Sequence, residues 1–127
     1  MKISEVAKIT GLSSKQIRDY EKLGLLTPAE RTFSGYRDYK QADLARLHFI
    51  HHAREVGFGL AQIGELLALQ DNPNRKSCDV KALTASHIAT LAQKIAQLEQ
   101  MKNTLQAWHD ECAGDERSHC AILQNLQ

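Results

Sequence analysis

DVKALTASHIATLAQKIAQLEQMKNTLQAWHDEC, residues 79–112, holds neither glycine nor proline and reads as one long helix. Ile88, Leu91, Ile95 and Leu98 follow one another at steps of three, four and three residues. Leu105 continues the seam, and Met101 and Trp108 widen it. Such spacing lays a narrow apolar stripe along one helix face, narrower than the face a helix buries inside a single domain. At 1.5 Å per residue the helix would run about 50 Å, longer than a small domain is wide. The stripe therefore needs a partner. A second copy of the same helix is expected, because most soluble oligomers are two-fold homodimers. An intramolecular helical hairpin is the competing arrangement. The dimerisation helix is placed at 79–111, an antiparallel coiled coil in the dimer.

Outward from this helix, composition sets bounds. A chain of 127 residues allows one domain, or one small domain with an appendage. Net charge is only +1 overall, but Met1 to Phe58 carries ten basic side chains against seven acidic ones. That excess permits a nucleic-acid partner without demanding it. No segment is apolar enough to span a membrane and no signal-peptide pattern opens the chain, so a cytoplasmic location is expected. Three cysteines in a reducing compartment read as ligands or free thiols before they read as disulfides.

Before the long helix, the sequence predicts a helix-turn-helix. Ser4 is placed to cap a helix over Glu5 to Thr10, which Gly11 ends. Ser13 and Gln16 form a capping box for a second helix, Ser14 to Leu23. Val6, Ala7, Ile9, Leu12 and Ile17 supply a small core. Lys15, Arg18 and Lys22 share one face of the second helix, which suits phosphates and base edges in a major groove; a merely solvated basic face is the alternative. Residues 30–39 (ERTFSGYRDY) read as a hairpin turning at Ser34-Gly35. Its Arg31, Tyr36, Arg37 and Tyr39 suit a wing that grips a sugar-phosphate backbone, while Tyr36 and Tyr39 could equally cover the core. Helices follow over Gln41 to Val56, with Leu44, Leu47, Phe49 and Ile50 inward, and over Leu60 to Leu69, with Leu60, Ile63, Leu66 and Leu67 inward. The resulting plan is mainly α: a winged helix-turn-helix domain over 1–70, a linker over 71–78, the long helix, and a terminal loop with a short helix over 112–127. That last helix, Ala121 to Leu126, is expected to tuck Ile122, Leu123 and Leu126 back.

This order of elements resembles the MerR family of transcription regulators along essentially the whole chain. The match is carried by Ile3-Ser4-Glu5-Val6-Ala7, by Ile17-Arg18-Asp19-Tyr20-Glu21-Lys22-Leu23-Gly24-Leu25, by Arg31 to Tyr39 and by Ala53-Arg54-Glu55-Val56-Gly57-Phe58. The stretch from Cys112 to Leu123 is similar to the CueR-like, copper(I)-sensing branch, whose two cysteines have seven residues between them, with Gly-Asp just after the first. The resemblance implies a homodimer that binds promoter double-stranded DNA through Lys15, Arg18, Tyr20, Arg31, Tyr36, Arg37 and Tyr39. It implies an activator that distorts a promoter with an overlong spacer so that RNA polymerase can engage it, with little change in DNA affinity. It implies no enzymatic activity.

Two cysteines also suit copper(I) on chemical grounds. Cys120 precedes a short helix, where backbone N–H groups favour a thiolate. Two thiolates around one monovalent ion leave a net charge of −1, and further thiolates would bury more uncompensated charge. Soft, two-coordinate Cu(I) is the expected ion, with Ag(I) and Au(I) as alternatives. The runner-up is a divalent sensor of the Zn(II) or Hg(II) type; Zn(II) wants four ligands. In the zinc- and mercury-sensing relatives a cysteine near Cys78 reaches the other protomer's site, and His119 could add a nitrogen donor here. His109 is a weaker candidate. Asp19 departs from the family, which usually carries an aromatic there; it either orients Arg18 or Arg37 or shifts the sequence read. A thiol redox enzyme is disfavoured by the lack of Cys-x-x-Cys and of a Gly-rich cofactor loop. A pure coiled-coil scaffold would leave the basic face and wing without a role.

Overall fold

The N-terminal helix starts earlier than its cap signal suggests. In the computed structural model, which describes residues 1–127, α1 spans Ile3–Thr10 and the Lys2 carbonyl accepts from the N–H groups of Glu5 and Val6. Ser4 lies inside the first turn and caps nothing. Packing outweighs the cap here, because starting at Ile3 puts Ile3, Val6, Ala7 and Thr10 on one face, with Val6 and Thr10 buried and the other two packed on the core. Ile9, expected in that core, falls off this face and is exposed. Gly11 takes a left-handed conformation (φ 76°) and its N–H closes the helix on the Ala7 carbonyl, a stop that costs a residue with a Cβ far more.

Helix α2, Ser14–Lys22, starts as its sequence predicts. Gln16 N–H donates to Ser13 Oγ at 3.1 Å, and Ser13 N–H donates to Gln16 Oε1 at 2.9 Å. Reciprocal capping of this kind contributes about 1 kcal/mol to a helix. Strands β1, Glu30–Arg31, and β2, Arg37–Asp38, pair antiparallel with Glu30 opposite Asp38 and Arg31 opposite Arg37. The turn between them is held by Thr32 N–H on the Tyr36 carbonyl and Gly35 N–H on the Thr32 carbonyl.

Helices α3, Gln41–Glu55, and α4, Leu60–Asp71, complete the first of two compact units, Met1–Val80. Leu44, Leu47, Ile50 and Ala53 of α3 meet Ile63 and Leu67 of α4 in a core shared with Val6, Ile17 and Leu26. Phe49 and Leu66 lie at its margin, and Leu60 is more exposed than its place in the pattern suggests. Arg46 ties three segments together. Its Nε donates to the Leu25 carbonyl at 2.6 Å, and its Nη1 bonds both carboxylate oxygens of Asp71.

The connection into the long helix is shorter than the expected linker. An Asn72 side chain accepting from Asn74 N–H shapes the turn, and α5 already begins at Ser77 and runs to Glu111, 35 residues in all. The second unit comprises Lys81–Gln127. Of α5's side chains only His87 is buried; Ile88, Ile95, Leu98, Met101 and Leu105 are exposed in the single chain and Leu91 is half-buried. Helix α6, Ala121–Leu126, forms where expected. Its apolar residues tuck in less than expected: Ile122 is half-buried, while Leu123 and Leu126 stay exposed.

Candidate DNA-reading face and thiol site

Helix α2 divides cleanly into two faces. Ile17 and Tyr20 point into the core, and Lys15, Arg18 and Lys22 stand exposed on the opposite side. Tyr20 thus differs from its expected place among DNA contacts: one turn from Ile17, it shares that residue's buried face. Asp19 orients neither Arg18 nor Arg37. Its Oδ2 lies 3.4 Å from Lys15 Nζ, an exposed pair one helical turn apart, which contributes little to stability but partly neutralises a cation of the exposed basic side.

The wing presents Arg31 and Tyr36 outward, Tyr36 being 67% exposed. Arg31 Nη1 donates to the Gly35 carbonyl at 2.8 Å and braces the turn. Tyr39 takes the core-covering alternative rather than the backbone contact. It is 1% exposed and its hydroxyl donates to Glu21 Oε1 at 2.6 Å. Burial and the adjacent Glu21 carboxylate raise its phenol well above the ordinary range, so it stays a hydrogen-bond donor. Arg37 is half-buried and its Nε donates to Glu21 Oε2 at 3.2 Å. Of the four wing residues expected to face DNA, Arg31 and Tyr36 stand outward, and Arg37 and Tyr39 turn back to α2.

Three further residues join this surface. Phe33 at the wing tip is fully exposed. Lys2 and Ser4 line, with Arg31, Tyr36 and Arg37, a cleft of about 290 Å³ between the start of α1 and the wing. Unpaired N–H groups and the positive end of the helix dipole suit this cleft to an anionic oxygen. Phe33 sits in the quoted hairpin, and a large apolar residue at a turn tip was its signal. Lys2 and Ser4 gave none, because their nearness to the wing is set by tertiary packing.

In the second unit, Cys112 directly follows the last residue of α5 and Cys120 is the N-cap of α6. Both are free, half-buried thiols, and their sulfurs stand 3.8 Å apart. The backbone N–H of Leu123 is the main influence lowering the Cys120 thiol, aided by Cys112 and by the N–H of Ile122. The loop between the two cysteines folds on itself. Gly114 takes φ +66°. Asp115 accepts from Arg117 N–H at 3.0 Å and from its Nε at 2.7 Å, and this arginine holds the Asp115 carboxyl below its usual range. Asn125 Nδ2 reaches Glu111 Oε2 at 3.4 Å, linking α6 to the end of α5.

The chemistry of the pair fits a soft metal ion. Two adjacent sulfurs, one favoured as thiolate, form a two-donor site. No trio of His, Cys, Asp and Glu side chains in the chain is arranged to hold an ion. His119 is exposed and forms no such trio with the thiols within one chain. Cys78 lies exposed in the first turn of α5, its sulfur 3.9 Å from Asp79 Oδ1. No helix is long and apolar enough to cross a membrane.

Both halves of the chain are similar to known proteins. The family model described as MerR HTH family regulatory protein matches residues 1–70, and that described as MerR, DNA binding matches residues 44–108. A probable heavy metal-dependent transcriptional regulator of Haemophilus influenzae is 61% identical over 126 residues, which cover 99% of this chain and 98% of that protein. The HTH-type transcriptional regulator CueR of Escherichia coli is 48% identical over 126 residues, 99% of this chain and 93% of its own. Among solved structures, a transcription regulator of Ralstonia metallidurans in complex with lead(II) superposes with a TM-score of 0.86 at 31% identity, covering 100% of this chain and 99% of that one.

Proposed function

The chain belongs to the MerR helix-turn-helix family of metal-responsive transcriptional regulators, and we propose that it senses copper(I), with silver(I) and gold(I) as surrogates, through Cys112 and Cys120. The observation that carries this reading is the pair of free thiols 3.8 Å apart at the junction of α5 and α6. The likeness to CueR supports it.

Cys112 and Cys120 would hold the ion as thiolates, Cys120 already favoured in that form by the N–H groups of Leu123 and Ile122. When bound, the ion supplies a soft positive centre between them. Asp115 and Arg117 keep the intervening loop folded, and Asn125 keeps α6 on Glu111. The exposed seam of α5 joins two copies as a homodimer. Met101, Leu105 and Trp108 line a groove of about 710 Å³ along it that a second helix would fill. In the cytoplasm the dimer reads promoter DNA, with Lys15 and Arg18 in the major groove and Arg31 and Tyr36 on the flanking backbone. Bending and undertwisting the promoter, to the benefit of RNA polymerase, costs on the order of a few kcal/mol. Differential metal affinity between two dimer conformations can supply that amount.

A second reading is a divalent sensor that borrows Cys78 from the other protomer. The sulfur separation itself favours weighing it. Metal–sulfur bonds of about 2.3 Å at a tetrahedral angle put two sulfurs about 3.8 Å apart, whereas a linear ion with such bonds would need about 4.6 Å. A linear ion thus requires the pair to open slightly. Anaerobic titration of the reduced protein with Cu(I) and with Zn(II), read by stoichiometry and absorption, tests the choice. One Cu(I) per thiol pair, retained in Cys78→Ala, is expected. Tight Zn(II) binding that is lost in Cys78→Ala would install the second reading.

A further inference from the structure

Two surfaces of the first unit are assigned above to DNA, the exposed face of α2 and the wing. This inference rests on that assignment. A hairpin with two residues per strand cannot hold its own position, so something must fix the wing relative to the helix.

Glu21 occupies that joint. It lies one residue before the end of α2, on the flank between the core face and the groove face. Its carboxylate is 8% exposed, and each oxygen takes a bond from the wing: Oε1 from the Tyr39 hydroxyl at 2.6 Å and Oε2 from Arg37 Nε at 3.2 Å. Both are charge-assisted, with Tyr39 buried and Arg37 half-buried, so the geometry is tightly specified. A buried carboxylate without them would be costly.

We propose that Glu21 is a positioning residue for DNA reading, which locks the wing to the recognition helix and holds Arg37 as a strut rather than as a phosphate contact. The separation between Arg18 on α2 and Tyr36 on the wing is then set by Glu21, and with it the fit of both to one duplex. The charge of Arg37 is spent inside the protein, so it adds nothing to the salt-sensitive attraction to phosphates.

Glu21→Gln keeps the shape and can still accept from Tyr39, but it releases Arg37. The parent protein first selects an operator from a random duplex pool. Affinities for that operator and for random duplex are then measured across salt concentrations, well below each variant's melting temperature. Glu21→Gln is expected to lower the operator-to-random ratio by roughly tenfold, the effect of about one misread base pair, and to steepen the salt slope by about one unit per protomer as Arg37 turns to phosphate. Arg37→Gln should lower the ratio while leaving the salt slope as in the parent. The double variant should return to the parent slope. A merely structural Glu21 would lower the melting temperature and move neither ratio nor slope, which overturns the proposal. A shallower slope in Arg37→Gln also overturns it, since Arg37 would then be a phosphate contact in the parent. Arg18→Ala separates the two levels. If it abolishes operator preference while Glu21→Gln does not, only the role of Glu21 fails; if it leaves preference intact, the assignment of α2 to the groove fails as well.

Discussion

The Cys112 and Cys120 sulfurs lie 3.8 Å apart although eight positions separate them in the chain. The contact exists because α5 stops at Glu111, Gly114 turns the backbone with a positive φ, and Cys120 caps α6. One thiol comes from the end of a long helix and the other from the start of a short one. Binding at the pair therefore acts on the junction between two helices.

Cys112→Ser and Cys120→Ser should each abolish the metal response and leave operator binding intact. A hard hydroxyl is a poor substitute for a thiolate on Cu(I), and both positions lie outside the DNA-reading unit. Cys78→Ala should change little. Transcription in vitro with Ag(I), Cu(I), Zn(II) or Hg(II) added in turn checks all three. Loss of every response in Cys78→Ala, with Zn(II) active in the parent, would displace copper(I).

Arg18→Ala should weaken operator binding by about 1–3 kcal/mol and relax the sequence preference, as expected for a residue that reads a base. Lys15→Ala should cost less, because Asp19 already pairs with that ammonium. Fluorescence anisotropy on operator and scrambled duplexes measures both. Full operator affinity in a Lys15→Ala, Arg18→Ala double variant would remove α2 from the groove.

Replacing Leu91 and Leu98 together by Asp should abolish dimerisation, since a buried coiled-coil seam offers a carboxylate no partner. Sedimentation velocity at micromolar concentration reads the result. An intact dimer would locate the interface elsewhere than on this stripe.

The acid limb of stability should depend on Asp38. Its hydrogen bond with Lys40, and then its bond with the Met1 ammonium, bring the carboxyl down to about 2 from 3.8. A depressed value means that ionised Asp38 supports the fold above about pH 3.8, and that this support fades as pH falls toward 2. Thermal melts of Asp38→Asn should show a shallower loss between pH 4 and pH 2 than the parent. An unchanged acid limb would assign it to other carboxylates.

Much of this architecture is legible in the sequence because its signals are local. The Ser13–Gln16 capping box, the Gly11 stop and the long run free of glycine and proline in α5 each depend on a few neighbouring residues, and the start of α2, the end of α1 and the body of α5 form where they are expected. Tyr20 and Tyr39 were not legible in the same way. Tyrosine serves equally well as a core filler and as a phosphate contact, and which it does here follows from the i,i+3 partnership of Tyr20 with Ile17 and from the Glu21 carboxylate waiting for the Tyr39 hydroxyl. Glu21 itself was invisible as a joint, because its two partners lie 16 and 18 residues away. The thiol pair was legible from spacing and resemblance. Its separation of 3.8 Å was not, since that depends on the fold of a loop stapled by Asp115 and Arg117.

The uncovered seam on α5 bears on the life of the newly made chain. Ile88, Ile95, Leu98, Met101 and Leu105 are all more than half exposed when one copy stands alone, and such a surface invites aggregation and attracts quality-control proteases. Pairing hides it, and pairing follows mass action, so the dimer gains stability with concentration. The same helix that carries the thiol Cys112 at its end thus makes the stability of the protein depend on its own concentration, before any metal or promoter is involved.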